Sequence, residues 1–144
     1  MRSMLILTAL AALVLAAPAS AKVKRLEANL SGSNEMPATD PGASGTAKVR
    51  LDRAKKKVCF TIRVRNVQDV VAAHIHKGGK SVASGPIVVT FLHGPAAGSK
   101  FTGCENNVQR GVIRAILRRP RRYYVNVHSM EFAGGEVRGQ LHKP

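Results

Sequence analysis

Aromatic and acidic residues are both scarce in this chain. Its 144 residues include no tryptophan, two tyrosines and four phenylalanines. Proteins that hold single-stranded nucleic acid stack the bases on aromatic rings, so we expect no nucleic-acid partner. Only 8 acidic residues accompany 23 lysines and arginines, which gives a formal net charge of +15. So few carboxylates argue against the paired acids of a glycosidase, whereas the positive excess favours an anionic partner.

Recognisable catalytic motifs are missing as well. No serine lies in a G-x-S-x-G turn, and neither cysteine stands beside a histidine. No glycine-rich phosphate loop follows a strand and opens a helix. We therefore expect a protein that is not an enzyme.

One apolar run, residues 4–17, lies near the N-terminus. It is shorter than the ~20 residues that span a bilayer. Ala19-Ser20-Ala21 follows it and offers the small residues that a signal peptidase recognises. The pattern predicts a signal peptide over residues 1–21, cleaved after Ala21, and one domain over residues 22–144. We expect a secreted, cell-envelope or periplasmic product without a transmembrane segment.

The chain contains two cysteines, Cys59 and Cys104. An even number of cysteines in an exported chain favours a disulfide. Closing a loop of about 46 residues would stabilise the fold by about 4 kcal/mol in the chain-entropy model. The alternatives are two free thiols or two metal ligands, but the C-x-x-C spacing of many metal sites is absent.

Alternation of apolar and polar residues predicts seven short strands and one helix. In residues 57–65, Val58, Phe60 and Ile62 should face the core, so Cys59 should point outward, where a long loop over residues 93–106 could bring Cys104 to it. Residues 86–92 are apolar on both faces, which predicts a central strand. The helix is predicted from the spacing of Val108, Val112, Ala115 and Ile116, with its end before Pro120. The remaining strands are predicted at residues 23–30, 45–51, 70–76, 123–128 and 136–141. This content predicts an antiparallel β-sandwich or Greek-key barrel.

Polar side chains share the outer face of several predicted strands. His74 and His76 flank Ile75, and His128 ends another strand. Three imidazoles that face one point can hold Zn²⁺ or Cu²⁺, as a metal-binding or redox site. Glu136 would then be a fourth ligand or would orient an imidazole, with support from the neighbouring polar residues Asn126, Arg138 and Gln140.

The alternative is a structural cluster that fixes the strand register. In it, Glu136 pairs with Arg138 and the imidazoles bond to the backbone. Because short H-x-H segments are common by chance, the spacing alone favours this structural interpretation. Either way, we expect the three histidines, Glu136 and Arg138 to meet at one end of the barrel. His93 and His142 have no such partners in the pattern.

The densest basic run lies just before the tyrosines. It consists of Arg118, Arg119, Arg121 and Arg122, interrupted by Pro120. Such a cluster favours attachment to an anionic polymer of the cell envelope.

Six short motifs, in order along the chain, resemble the CHRD domain, which is named for its repeats in chordin and also occurs in bacterial secreted proteins. The similarity runs from about Leu26 to Leu141. It implies an immunoglobulin-like β-barrel with an extracellular role, as a binding or structural module whose partner and oligomeric state the resemblance does not specify. The motifs are Gly32 with Asn34-Glu35-Met36-Pro37, Gly45-Thr46-Ala47, Ala73-His74-Ile75-His76-Lys77-Gly78, Gly85-Pro86-Ile87-Val88-Val89, Tyr124-Val125-Asn126-Val127-His128-Ser129 and Gly135-Glu136-Val137-Arg138-Gly139-Gln140-Leu141.

Overall fold

The structure, a computed structural model, describes residues 23–144, and eight strands form one antiparallel sheet there. The predicted signal peptide therefore lies outside the described residues. The order across the sheet is β5-β4-β7-β8-β1-β2-β3-β6. The strands are β1 (Lys24–Ser31), β2 (Ser44–Asp52), β3 (Lys57–Arg65), β4 (Val70–Lys77), β5 (Ile87–Ala96), β6 (Lys100–Glu105), β7 (Tyr123–Ser129) and β8 (Val137–Gln140), with one α-helix, α1 (Arg110–Arg118).

Alternating apolar residues explain the inner face of this sheet. Val58, Phe60 and Ile62 of β3 are buried, as the sequence predicts, and Val49 of β2 lies opposite Phe60. Burying a side chain of this size stabilises a fold by roughly 1.5–3 kcal/mol. Repeated over the long strands, this burial curls the sheet around a single apolar core.

The two edge strands, β5 and β6, approach each other and nearly close the sheet into a barrel. The rings of Phe60 and Phe91 stack there with centroids 4.5 Å apart. The prediction of a central strand at residues 86–92 was wrong, since β5 is an edge strand and Ile87 is 52% exposed.

The prediction of a loop over residues 93–106 was also wrong, because β6 occupies its second half. This strand shows little apolar alternation. Phe101 is buried, but Gly103 has no side chain because the ring of Phe60 fills that space. A Cβ on Gly103 would lie 2.9 Å from ring carbons of Phe60. β6 pairs with β3 so that Cys104 lies directly opposite Cys59, and the two form the predicted disulfide.

Helix α1 packs across the barrel through Ile113 and Ile116, both fully buried. Ala115, which the sequence placed on the buried face, is exposed. The helix ends at Arg118, and a 3₁₀ turn, Pro120–Arg122, leads into β7. Among residues 23–144, no helix has the length and apolar character needed to cross a bilayer.

Candidate metal centre

Three histidines from β4 and β7 converge on the outer face of the sheet. His74 and His76 lie two residues apart, so their side chains project the same way. Pairing of β4 with β7 places Ala72 opposite His128, which sets His128 diagonal to His74. The ring centroids are 5.0 Å apart for His74 and His128, 5.5 Å for His74 and His76, and 6.0 Å for His76 and His128. One ligand nitrogen from each ring lies within 4.8 Å of the other two.

Backbone carbonyls fix which nitrogen of two rings carries the proton. His76 Nδ1 lies 2.7 Å from the carbonyl oxygen of Gly85, and His128 Nδ1 lies 2.9 Å from that of Ala133. A carbonyl oxygen only accepts, so both Nδ1 atoms must donate. Each ring, when neutral, therefore keeps a lone pair on Nε2. Carbonyls that hold the far nitrogen in this way are typical of metal-ligating histidines.

The two available lone pairs have different surroundings. His128 Nε2 lies 3.1 Å from His74 Nδ1 and can accept a hydrogen bond from it. His76 Nε2 is buried and has no hydrogen-bond partner among the described residues. The residue as a whole is only 7% exposed. A buried polar atom left in this state costs roughly 1–3 kcal/mol, so a ligand at this nitrogen would remove an existing penalty.

All three imidazoles are held in the neutral form. Burial lowers the pKa of His74 to about 4, and the charges of His128, His76 and His93 add to the effect. Burial also lowers the pKa of His76, which outweighs the opposing hydrogen bond to Gly85. The pKa of His128 is lowered by burial in the same way. Neutral imidazole is the form that binds metal ions.

The spacing of the nitrogens suits a small transition-metal ion. Zinc binds imidazole nitrogen at about 2.0–2.1 Å, so two ligands of a tetrahedral ion lie about 3.3 Å apart. His74 Nδ1 and His128 Nε2, at 3.1 Å, are already near that value. With the whole set inside 4.8 Å, a shift of about 1.5 Å would bring the rings to one ion. Copper accepts the same ligands.

Gly85 and Tyr124 hold His76 in place. The Gly85 carbonyl accepts from His76, while its N–H donates to the Tyr124 hydroxyl at 3.1 Å. The ring of Tyr124 stacks on that of His76, with centroids 5.0 Å apart and planes 4° from parallel. A side chain at position 85 would overlap the Lys77 carbonyl oxygen, so only glycine fits this position.

Arg138 fixes the loop that carries Gly85. The side chain is 1% exposed, and its guanidinium carbon lies 4.8 Å from the centre of the Tyr124 ring. It donates to the Asn34 carbonyl at 2.6 Å, which anchors the loop over residues 32–43. It also donates to three carbonyls of the loop over residues 78–85, those of Lys80, Val82 and Ala83, at 2.9–3.2 Å. The two loops are thereby joined through a single side chain.

Glu35 is the acidic partner of Arg138, at 3.9 Å, and the sequence analysis gave it no role in the site. It is 7% exposed, and its Oε1 has no hydrogen-bond partner in the part of the chain that the structure describes. Burial raises the pKa of Glu35 to about 7, although the charge of Arg138 opposes the rise. Glu35 lies in a loop rich in turn-forming residues, where no periodicity marks a residue as buried. Its motif in the family resemblance was the only signal that could have identified it.

Glu136 lies apart from the histidines. It is not one of the residues whose ligand atoms converge, and its carboxyl accepts a hydrogen bond from the side chain of Ser129. Burial raises its pKa, with Glu131 and Asp40 adding to the rise. The predicted pair of Glu136 with Arg138 is therefore replaced by Glu35 with Arg138. Glu136 follows Gly135 directly, just before β8 begins at Val137, and its N–H donates to the Val127 carbonyl at 2.8 Å.

The other supporting residues take separate positions. Asn126 is buried opposite His74, and no described residue donates a hydrogen bond to its Oδ1. Gly135, at a φ of 129°, packs against its amide. Gln140 donates to the carbonyls of Gly78 and Arg121 at 3.0 and 2.7 Å. The four arginines of the basic run are all exposed, on α1 and the turn that follows.

Comparison with known proteins adds a family assignment. Searches of curated proteins and of solved structures found no match. The family model described as the CHRD domain matches residues 26–141, which is nearly all of the described chain. The protein belongs to the CHRD domain family.

Proposed function

We propose that this protein is an exported, non-enzymatic binding module that holds one transition-metal ion, Zn²⁺ or Cu²⁺, through His74, His76 and His128. The observation that carries the proposal is the buried lone pair on His76 Nε2, which has no partner within residues 23–144 and lies where two other imidazoles converge. An ion would use this lone pair and remove the cost of leaving it unbonded.

The same observation weighs against a purely structural cluster. A cluster that only fixes strand register satisfies its buried polar groups. Here two rings are oriented by carbonyls at Nδ1, which aims their Nε2 lone pairs into the cluster. This arrangement matches the outer hydrogen bonds that orient metal-binding histidines.

Binding, rather than turnover, is the role that the surroundings support. Among the described residues, no carboxylate joins the three nitrogens, so none stands ready there as a general base. Three protein ligands leave the fourth position of a tetrahedral ion to water or to a donor atom from another molecule.

Three observations support export. The Cys59–Cys104 disulfide suits an oxidising compartment. The CHRD family has an extracellular role, and the N-terminal residues carry the pattern of a signal peptide. An exported module with a histidine site would meet its metal outside the cytoplasm.

The test is a metal titration of the protein purified without a histidine tag. Bound zinc or copper should reach one equivalent per chain. At a hundredfold excess over the dissociation constant, the ion should stabilise the native state by about 2.7 kcal/mol. For a domain of this size, that raises the melting temperature by roughly 10 °C. His74→Ala and His128→Ala should abolish both the bound equivalent and the rise.

His142→Ala is the matched control, because it removes a histidine outside the cluster and should keep the full response. Two results would refute the proposal. One is a melting temperature that neither metal changes, and the other is a metal-induced rise that remains in His74→Ala and His128→Ala.

A further inference from the structure

The outer face of α1 carries a row of arginines. Arg110, Arg114 and Arg118 lie four residues apart and therefore share one side of the helix. All three are exposed, while Ile113 and Ile116 face the barrel. Eight helical residues rise by about 12 Å, so the row is longer than one phosphate group. We call these three residues the arginine ridge.

The ridge continues into a groove at the C-terminal end of the helix. The groove encloses about 480 Å³ and is lined by Arg118, Arg119, Pro120, Arg121, Arg122, His142 and Lys143. Five of these seven residues are formally cationic, and none is acidic; His142 supplies the one ring, an imidazole. We call this set the arginine groove.

These cations have no acidic partners. Within residues 23–144, the two ion pairs are Lys48 with Glu27 and Arg138 with Glu35. Neither uses a residue of the ridge or the groove. Like charges held this close repel one another, so an anion that bridges them gains from every charge that it neutralises.

The backbone of the groove is held in position without a ligand. The Arg121 carbonyl accepts from Gln140 at 2.7 Å, and the Arg122 carbonyl accepts from the N–H of Gly78 at 2.8 Å. The Arg122 N–H in turn donates to the Arg119 carbonyl at 2.9 Å. Fixing the backbone in advance lowers the ordering cost of binding.

We infer that the ridge and groove together bind a phosphodiester polymer that carries no bases, of the kind displayed on a cell surface. Arginine supplies a planar fork of donors that matches phosphate oxygens in pairs. The length of the ridge fits successive phosphates along a chain better than one small anion. The groove lining has no phenylalanine, tyrosine or tryptophan on which a base could stack. This surface does not depend on the metal centre.

The experiment measures binding of the full chain to poly(glycerol phosphate) at rising salt. The test variant combines Arg118→Gln, Arg119→Gln, Arg121→Gln and Arg122→Gln. It should bind at least tenfold more weakly at 0.15 M salt. Log affinity decreases as log salt increases. If each arginine neutralises one phosphate, the slope of that decrease should be shallower by about 3 in the variant.

A matched control removes four exposed cations of β2, β3 and β6 that do not line the groove, through Arg50→Gln, Arg63→Gln, Arg65→Gln and Lys100→Gln. It carries the same net charge as the test variant but should keep the affinity within about threefold. Melting temperatures of both variants show that each is folded.

Equal losses in the two variants would overturn the proposal, because net charge alone would then explain binding. Tighter binding to double-stranded DNA or to hyaluronate than to poly(glycerol phosphate) would overturn the choice of partner. Because the assay is run with chelator present, its outcome is separate from that of the metal titration.

Discussion

The histidine centre and the arginine groove lie on neighbouring parts of the barrel but use opposite physical means. The histidines are largely buried, neutral and oriented by carbonyls. The arginines are exposed and always charged, and only their backbone is fixed. A buried neutral site is specific because of its geometry, and salt has little effect on it. An exposed charged surface attracts its partner over a longer distance but loses affinity as salt rises. Because the two sites differ in burial, binding at one can be changed by salt while binding at the other stays the same.

The largest effect should come from Arg138→Met, which should disable the histidine centre and spare the groove. Removing the guanidinium leaves Glu35 buried without its partner and frees both loops, so we expect a loss of about 3–5 kcal/mol in unfolding free energy. Because the loop holding Gly85 loosens, zinc affinity should fall 10–100-fold. Urea unfolding and zinc titration measure the two effects.

Adding Glu35→Gln to Arg138→Met is the control, since it removes the unpaired acid and should recover part of the stability. Wild-type stability in the single variant would contradict the assigned network. So would a parallel loss of polymer binding in the folded variant.

A smaller loss of stability should come from removing the disulfide, and binding at the two sites should be unchanged. The link joins β3 to β6, and neither strand supplies a histidine of the centre or a residue of the groove. Cys59→Ser with Cys104→Ser should lower the unfolding free energy by about 2–4 kcal/mol, mainly by freeing the unfolded chain. The folded fraction should bind metal and polymer as before. Denaturant midpoints of the oxidised and reduced protein give a second measure, and identical midpoints would be inconsistent with the link.

The smallest effect concerns pH, where Glu35 and the histidines act in opposite directions. Burial raises the pKa of Glu35 to about 7, so the folded state holds its proton more tightly than the unfolded state. The stability that Glu35 contributes is complete below pH 4.5 and is lost as pH rises through 7. The histidines have lowered pKa values, so their contribution is complete above pH 6.5 and is lost as pH falls.

Glu35→Gln should isolate these opposing contributions. The variant has no carboxyl to lose a proton as pH rises. Its unfolding free energy should therefore increase by about 1–3 kcal/mol relative to wild type between pH 4.5 and 7.5. Arg138, Lys80 and His142 are the charged or titratable groups around the same cleft and stay unchanged. Unfolding curves at pH 5 and 7.5 for both proteins measure the difference, and a constant offset at the two pH values would contradict the pKa assignment.

Sequence patterns predicted the elements with regular alternation and missed those without it. β2 and β3 have buried apolar residues at every second position, so the sequence alone shows which side chains face the core. β6 was missed because Gly103 stands where a side chain would meet Phe60. β5 was misplaced because an apolar strand at the edge of a barrel has the same composition as a central one.

The candidate site was predictable to the same extent. His74, His76 and His128 follow from period-two alternation plus the pairing of two strands. The acidic partner of Arg138 is Glu35, 103 positions away in the sequence, rather than the nearby Glu136. Contacts between distant loops leave no periodic signal, so the sequence predicted the three histidines and Arg138 but not the roles of Glu35 and the Gly85 carbonyl.

The reach of Arg138 also sets an order of events during folding. A chain emerges from its N-terminus at about 5–20 residues per second. The loop over residues 78–85 is therefore exposed well before β8 exists to supply the guanidinium that holds it. The Gly85 carbonyl that orients His76 therefore lies in a loop whose contacts with Arg138 form only once β8 has paired between β7 and β1. Under the proposed function, loading of the histidine centre would follow completion of the barrel, and the ion would come from the compartment in which the chain finishes folding.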